Sequence, residues 1–195
     1  KPIIRAIDAA AAAGEPYDLS AMKMIISSGV MWTSEVKEQL LERIEQVWLV
    51  DAMGSSEGSM GTSISMKGMP AATARFSPSE GAKVFTDDDR EVTPGSGEIG
   101  MLASGGMVPV GYFKDPEKSA RTFIIVDGKR YSCPGDYATI DADGTVKVLG
   151  RGSVCINSGG EKIFPEEVEE ALKTHGSVAD AVVVGVPHDR FGEMV

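Results

Sequence analysis

Apolar residues change their spacing along the chain, and each change marks an element. Residues 3–13 are apolar and alanine-rich, as in a helix that Gly14 and Pro16 end. Residues 22–26 read as a short strand closed by Ser27, Ser28 and Gly29, small residues that let a flat ligand approach the backbone. Thr33 or Ser34 caps the next helix, Glu35 suits its first turn, and Val36, Leu40, Leu41, Ile44 and Val47 recur on one face. Residues 47–50 then form a strand, buried if its sheet is covered on both sides. It delivers Asp51 to Glu57 to its carboxyl end, the edge where open α/β sheets commonly bind ligands.

From Ala71 onward the pattern is one of short strands and turns. Strands over 82–85, 91–92 and 97–102 are separated by Asp87-Asp88-Asp89 and Pro94-Gly95-Ser96-Gly97, as in a small, partly barrel-like β subdomain. Asp115 and Pro116 start a short helix, and Asp127-Gly128 turns a hairpin. Asp136 follows Pro134-Gly135 at the mouth of a strand, where its carboxylate can accept from paired hydroxyls such as those of a ribose. Residues 141–144 turn that strand into residues 145–149, with Val146 and Val148 on one face, and Arg151 stands at the hairpin exit, placed for a phosphate or sugar oxygen. On spacing alone, a hairpin with a solvated charge at each end is the favoured reading. Residues 157–163 are expected to open a helix, Pro165 with Glu166 and Glu167 to start an amphipathic one through Leu172, and residues 182–186 to make a buried strand.

Composition narrows the class. A chain of 195 residues with 42% hydrophobic content can bury a sizeable core. The formal charge of -10 argues against a nucleic-acid backbone as partner, while leaving room for a local basic nucleotide site. Cys133 and Cys155 lack metal-ligand spacing and read as reduced thiols, and His175 and His188 as surface or loop residues. The apolar runs are too short to span a bilayer and no signal sequence opens the chain, so the expectation is a cytoplasmic protein with at most peripheral membrane contact. Met60, Met66 and Met69 could adapt to an irregular apolar ligand, but core filling is the favoured reading.

Residues 131–165, with PGD at Asp136, LGRG at Arg151 and SGGE at Ser158 to Glu161, together with Asp51-Ala-Met-Gly-Ser-Ser-Glu57 and GEIG followed by Gly111-Tyr112, resemble the adenylate-forming superfamily, specifically its acyl-CoA synthetase branch. The likeness covers nearly the whole chain. It implies an α/β fold: the end of a large domain's sheet portion (1–70), a distorted β-barrel subdomain (71–150), then a hinge and the start of a mobile α+β C-terminal domain (151–195). It also implies ATP/AMP, Mg2+ and coenzyme A as ligands, and a carboxylic acid, fatty or steroid-like, as substrate; a homo-oligomer is left open.

The resemblance assigns roles by position. Ser28, Gly29 and Val30 lie along the adenine and Met53 takes an aromatic position beside it. Gly54 and Ser55 are nucleotide-binding positions, from which the acyl tunnel lining also starts. Ser56, also nucleotide-binding, contacts the α-phosphate, and Glu57 helps hold magnesium, Ser56 and Glu57 being the catalytic pair. Asp136 and Arg151 contact the ribose, and the Ser158-Gly159-Gly160 backbone lines the pantetheine tunnel. Gly97-Glu98-Ile99-Gly100 and Gly111-Tyr112 are expected to serve structure only. Three departures stand out: Ser56 replaces a threonine, Met53 an aromatic residue, and Ser153 the usual Asp or Lys of the hinge, beside Val154. The family's phosphate-binding loop would lie upstream of Lys1 and its adenylating lysine beyond Val195, so the sequence reads as an interior fragment, inactive alone. The expected reaction is ATP-dependent formation of an acyl-adenylate and acyl transfer to coenzyme A. Loading of an acyl carrier protein, or a non-catalytic nucleotide- or acyl-binding module, are the alternatives.

Overall fold

In the computed structural model, which describes residues 1–30 and 32–195, the alanine-rich start forms helix α1 (Pro2–Ala12), with proline where no intrahelical donor is needed and Gly14 (φ 79) after its end. Strand β1 (Met24–Ser28), helix α2 (Ser34–Arg43) and strand β2 (Trp48–Ser55) follow as a β-α-β crossover. The strands are parallel, in register from Met24 opposite Trp48 to Ser28 opposite Ala52. Thr33 is the cap of α2, its hydroxyl accepting from the Val36 amide at 3.2 Å. The apolar stripe lands where its period requires: Leu40, Leu41, Ile44, Val47 and Leu49 are buried together with Ile4 and Trp32, and Val36 packs against them. Burying each such side chain contributes roughly 1.5–3 kcal/mol.

The strand expected over 47–50 runs on to Ser55, so Asp51 to Ser55 lie within it rather than in a loop beyond it. Trp48 is 50% exposed while Leu49 is fully buried, so β2 alternates between a covered and an open face.

The chain divides into two compact units, residues 1–53 with 62–75 and residues 54–61 with 76–195. Strand β3 (Gly58–Ser65) passes from the second unit to the first. The second holds most of the strands: β4 (Arg75–Pro78), β5 (Ala82–Phe85), β6 (Gly100–Gly105), β7 (Phe123–Val126), β8 (Lys129–Ser132), β9 (Asp136–Ile140) and β10 (Val146–Arg151). Their order is β4-β10-β9-β6-β8-β7, with β5 on β6. Phe85, Ala103, Val126, Tyr131 and Cys133 form one core, with the Phe85 and Tyr131 rings edge to face at 4.9 Å. Helix α3 (Pro116–Thr122) is capped by Asp115, whose carboxylate accepts from the Lys118 amide at 2.9 Å. Strand β6 begins at Gly100, three residues later than the spacing suggested, because Gly97 adopts φ 75 in a turn; Glu91 makes only an isolated bridge, to Phe85.

Beyond Arg151 come a short 3-10 turn (Gly152–Val154), strands β11 (Ile156–Ser158) and β12 (Glu161–Ile163), helix α4 (Pro165–Lys173), and strands β13 (Val186–His188) and β14 (Gly192–Met194). These strands form a second sheet in the order β12-β11-β14-β13. Residues 157–163 thus make a hairpin, not a helix start. Gly159 (φ 61) and Gly160 (φ 94) sit at positive φ, which suits a two-residue turn and breaks a helix. Residues 182–185 form no strand either. Val182 and Val184 are exposed, and the Val183 amide donates to the Glu169 side chain at 2.9 Å instead of to a ladder.

Candidate functional site

Within the first unit, the β1-β2 register brings two predicted segments to one edge. Ser28 pairs with Ala52, so Gly29 and Val30 leave β1 beside Met53, at the carboxyl end of a parallel pair. Gly29 holds φ 82 with open space where a Cβ would stand, and Val30 is exposed. Behind this edge, Lys37 on α2 meets Asp51 on β2 at 3.3 Å and donates to the Ala72 carbonyl at 2.7 Å. Burial raises the Asp51 carboxyl above its ordinary pKa, and the Lys37 ammonium opposes that rise.

In the second unit, Gly54 and Ser55 lead into a turn at Ser56 and Glu57. The turn is fixed from three sides. The Glu57 amide donates to Ser55 Oγ at 3.2 Å, Ser132 Oγ donates to the Glu57 carbonyl at 3.3 Å, and Ser104 Oγ donates to the Ser59 carbonyl at 3.0 Å. Gly58 is required here, because a Cβ on it would stand 2.6 Å from Ser104 Oγ. Ser56 is left exposed, its hydroxyl free to meet a ligand oxygen.

The Glu57 carboxylate accepts from the Tyr112 hydroxyl through Oε1. That bond, helped by Ser55 and by the Lys118 charge, holds Glu57 below the usual carboxylate range against the opposing effect of burial; the same bond raises the Tyr112 phenol. Tyr112 is itself anchored: its amide donates to Ser119 Oγ at 2.8 Å, and Lys118 Nζ lies 4.1 Å from its ring centre.

Asp136 and Arg151 face each other in register at the open end of the β9-β10 hairpin. Arg151 Nε lies 3.6 Å from Asp136 Oδ1, an ion contact too long for a hydrogen bond. The Asp136 side chain is 16% exposed and that of Arg151 57%. Burial raises the Asp136 carboxyl, Arg151 opposes this, and the negative charges of Glu166 and Glu57 add to the rise. A carboxylate so placed gains from hydroxyl donors, which bring no further negative charge. The structure therefore pairs Asp136 with Arg151, and the Glu57 charge adds a smaller effect on Asp136.

Ser153 lies in the 3-10 turn after Arg151, where the Gly152 amide donates to the Gly135 carbonyl at 2.8 Å. Ser158, Gly159 and Gly160 turn β11 into β12 on the separate small sheet, the Gly159 amide donating to the Phe191 carbonyl at 2.9 Å. Two ion pairs and a hydroxyl contact link this segment to the preceding strands: Lys147 with Glu167 at 2.7 Å, Lys162 with Asp87 at 3.9 Å, and Lys162 Nζ with Tyr137 OH at 3.1 Å. Glu166 packs over Gly150, where a Cβ would stand 2.4 Å from its Oε2.

Among the described residues no cluster of three or more His, Cys, Asp or Glu could hold a metal by itself, and no helix is long and apolar enough to cross a membrane. A single ionised carboxylate fixed by a hydroxyl suits a hard cation that takes its other ligands from phosphate and water, so Glu57 fits that use. His188 stacks on Phe191 at 5.0 Å and His175 accepts from the Ser177 amide at 3.2 Å, both in local roles. Met60 is buried in the core. Sequence reasoning missed Tyr112 as a partner of Glu57, because Gly111-Tyr112 read as structural. The available signal was the hydroxyl of that tyrosine just before a capped helix carrying Lys118 and Ser119.

The family model "AMP-binding enzyme C-terminal domain" matches residues 167–195. Across all of its length the chain is 48% identical to the medium/long-chain-fatty-acid–CoA/3-oxocholest-4-en-26-oate–CoA ligase of Mycolicibacterium smegmatis, of which it covers 36%. It is also 48% identical, over 93% of its length, to the 3-oxocholest-4-en-26-oate–CoA ligase of Rhodococcus rhodochrous, covering 33% of that protein. Among solved structures, ATP-bound MatB from Rhodopseudomonas palustris superposes with a TM-score of 0.71 at 27% identity over 87% of this chain and 33% of that one. The chain spans about a third of the length of the curated relatives it matches.

Proposed function

We propose that this chain, which belongs to the AMP-binding, adenylate-forming enzyme superfamily, is the part of an acyl-CoA synthetase that supplies the ribose contacts, one metal-holding carboxylate and the hinge. The observation that carries the reading is the in-register pair of Asp136 and Arg151, 3.6 Å apart at the open end of the β9-β10 hairpin. In the reaction, a carboxylate oxygen of the acid attacks the α-phosphorus of ATP, the bond to pyrophosphate breaks, and the thiol of coenzyme A then displaces AMP from the acyl-adenylate. Asp136 accepts from the ribose hydroxyls and Arg151 donates to the ribose. The Ser56 hydroxyl contacts the α-phosphate. Glu57 holds the Mg2+ that neutralises phosphate charge when bound. Ser28, Gly29 and Val30, with Met53, form the adenine edge, and Gly54 and Ser55 carry the chain from that edge to the phosphate contacts. Ser153 is the point about which residues 151–195 turn between the two half-reactions, as a third, mobile part of the protein, and Ser158, Gly159 and Gly160 then line the pantetheine path.

The substrate class follows the relatives, whose names specify medium- and long-chain fatty acids and a steroid side-chain acid. A cytoplasmic location is part of the same reading. The test is ATP-pyrophosphate exchange by the full-length protein with fatty, aromatic and steroid acids, with Asp136→Ala as control. A charge-assisted hydrogen bond contributes about 1.5–3 kcal/mol, so exchange with the preferred acid is expected to fall by roughly one to two decades in the variant. Exchange independent of any acid, or unchanged in Asp136→Ala, would remove the basis for this function.

A further inference from the structure

We infer that Tyr112 is a positioning residue for metal binding: its hydroxyl holds Glu57 Oε1 and so fixes the carboxylate in the orientation that meets a divalent cation. The inference rests on the reading of Glu57 as the metal-holding residue.

The geometry behind it is a chain of contacts running back into α3. Asp115 caps that helix through the Lys118 amide. Ser119, one turn in, donates to the Asp115 carbonyl at 2.6 Å and accepts from the Tyr112 amide at 2.8 Å, so one hydroxyl ties the tyrosine backbone to the capped helix. On one side Lys118 stands over the Tyr112 ring at 4.1 Å; on another the Phe123 ring lies 5.5 Å away, centre to centre. With backbone and ring both held, the phenol has few ways to point, and it points at Glu57.

The carboxylate needs this help. Glu57 sits in a two-residue turn with exposed Ser56 beside it, and the bonds that pin the turn act on its backbone. Apart from Tyr112, its carboxylate has only the adjacent Ser55 among the described residues to steady it by a side-chain hydrogen bond. A free glutamate in a turn samples several rotamers, and a cation that keeps most of its water ligands gains little from a carboxylate it must first order. A phenol donor removes that ordering step without adding charge.

The test uses the full-length protein and two readouts. In ATP-pyrophosphate exchange, Tyr112→Phe is expected to raise the Mg2+ concentration for half-maximal rate about tenfold, with the rate at saturating Mg2+ within about twofold of the parent. Mn2+ binding to the ATP-loaded protein, read by electron paramagnetic resonance, should weaken by a similar factor. Ser119→Ala, which loosens the tyrosine backbone while keeping the phenol, should shift both readouts the same way by less; it also serves if Tyr112→Phe does not fold. An unchanged metal dependence in a folded Tyr112→Phe, or in Ser119→Ala where that variant stands in for it, overturns the inference, whatever happens to the maximal rate. Glu57→Gln separates the two readings. If it shifts the metal midpoint and Tyr112→Phe does not, only the role of Tyr112 fails. If Glu57→Gln leaves the midpoint unchanged, the metal-holding role of Glu57 fails and this inference with it.

Discussion

Replacing Lys37 by methionine should cost the first unit a large part of its stability. Lys37 and Asp51 are 3.3 Å apart with side chains 1% and 4% exposed, so neither charge has water to fall back on. Removing the cation strands a buried carboxylate, a change that costs about 3–5 kcal/mol. That is a large share of the roughly 5–15 kcal/mol that holds a typical domain together. The sign of the pH dependence follows from Asp51. Burial raises its folded-state pKa above the ordinary 3.8, so between that value and the raised one the folded protein binds a proton the unfolded chain has released. Stability is therefore lost as pH rises through that window, and removing Lys37 extends the window upward. The deficit of Lys37→Met should be largest near neutral pH and shrink towards pH ~4. Native-state hydrogen exchange of the α2 amides in the full-length protein measures it locally. Adding Asp51→Leu should restore most of the loss, leaving about 1–3 kcal/mol for the Ala72 carbonyl that Lys37 no longer serves. A deficit under about 1 kcal/mol, the size of a surface pair, or one that grows as pH falls, would refute the reasoning.

Gly150→Ala should loosen the packing of α4 on β10. Its φ of 153 suits few side chains, and the new Cβ would meet Glu166 Oε2 at 2.4 Å; the expected loss is about 1–3 kcal/mol, read as faster exchange of the α4 amides, and unchanged exchange would count against the contact. Cys133 is buried and its thiol is pushed up to about 11, chiefly by desolvation with a contribution from Asp89. It should resist iodoacetamide at pH ~8 until the protein is unfolded, whereas labelling of the native protein at a free-thiol rate would show that its site opens.

Periodicity made the first unit legible. The stripe from Val36 to Val47 was readable because a helix against a sheet needs one apolar face, and the Thr33 cap because its hydroxyl serves a donor the helix leaves unpaired. Turn chemistry served nearly as well: Asp127 (φ 49) and Gly128 (φ 73) take the positive angles of a tight hairpin turn. Where periodicity and composition mislead, a competing contact or a local backbone angle decides. The apolar run at residues 182–185 looks like a strand by composition, yet a ladder needs a partner, and Glu169 takes the Val183 amide instead. The pair Gly159-Gly160 before an amphipathic helix looked like its opening, but two residues at positive φ make a hairpin and the helix waits for Pro165.

The site shows the same limit more sharply, because a motif fixes which residues matter and not which of them share a field. Glu57 lies far from Asp136 in sequence, yet its charge acts on Asp136, while Tyr112 donates to Glu57. Tyr112 lowers the Glu57 pKa; burial raises that of Asp136, and the Glu166 and Glu57 charges add to the rise. Arg151 is the cation that opposes the rise at Asp136, at 3.6 Å and more than half exposed. That arrangement fixes what should bind there. A ligand presenting a second anion directly to Asp136 would add to repulsion already present, while one presenting hydroxyls to Asp136 relieves it and leaves Arg151 for oxygen. On the function proposed above, a sugar diol would satisfy both residues at once, with Asp136 accepting from a hydroxyl and Arg151 donating to an oxygen. Asp136→Asn should therefore weaken binding of a ribonucleoside more than that of its 2',3'-dideoxy analogue, and equal weakening of the two would refute the reasoning.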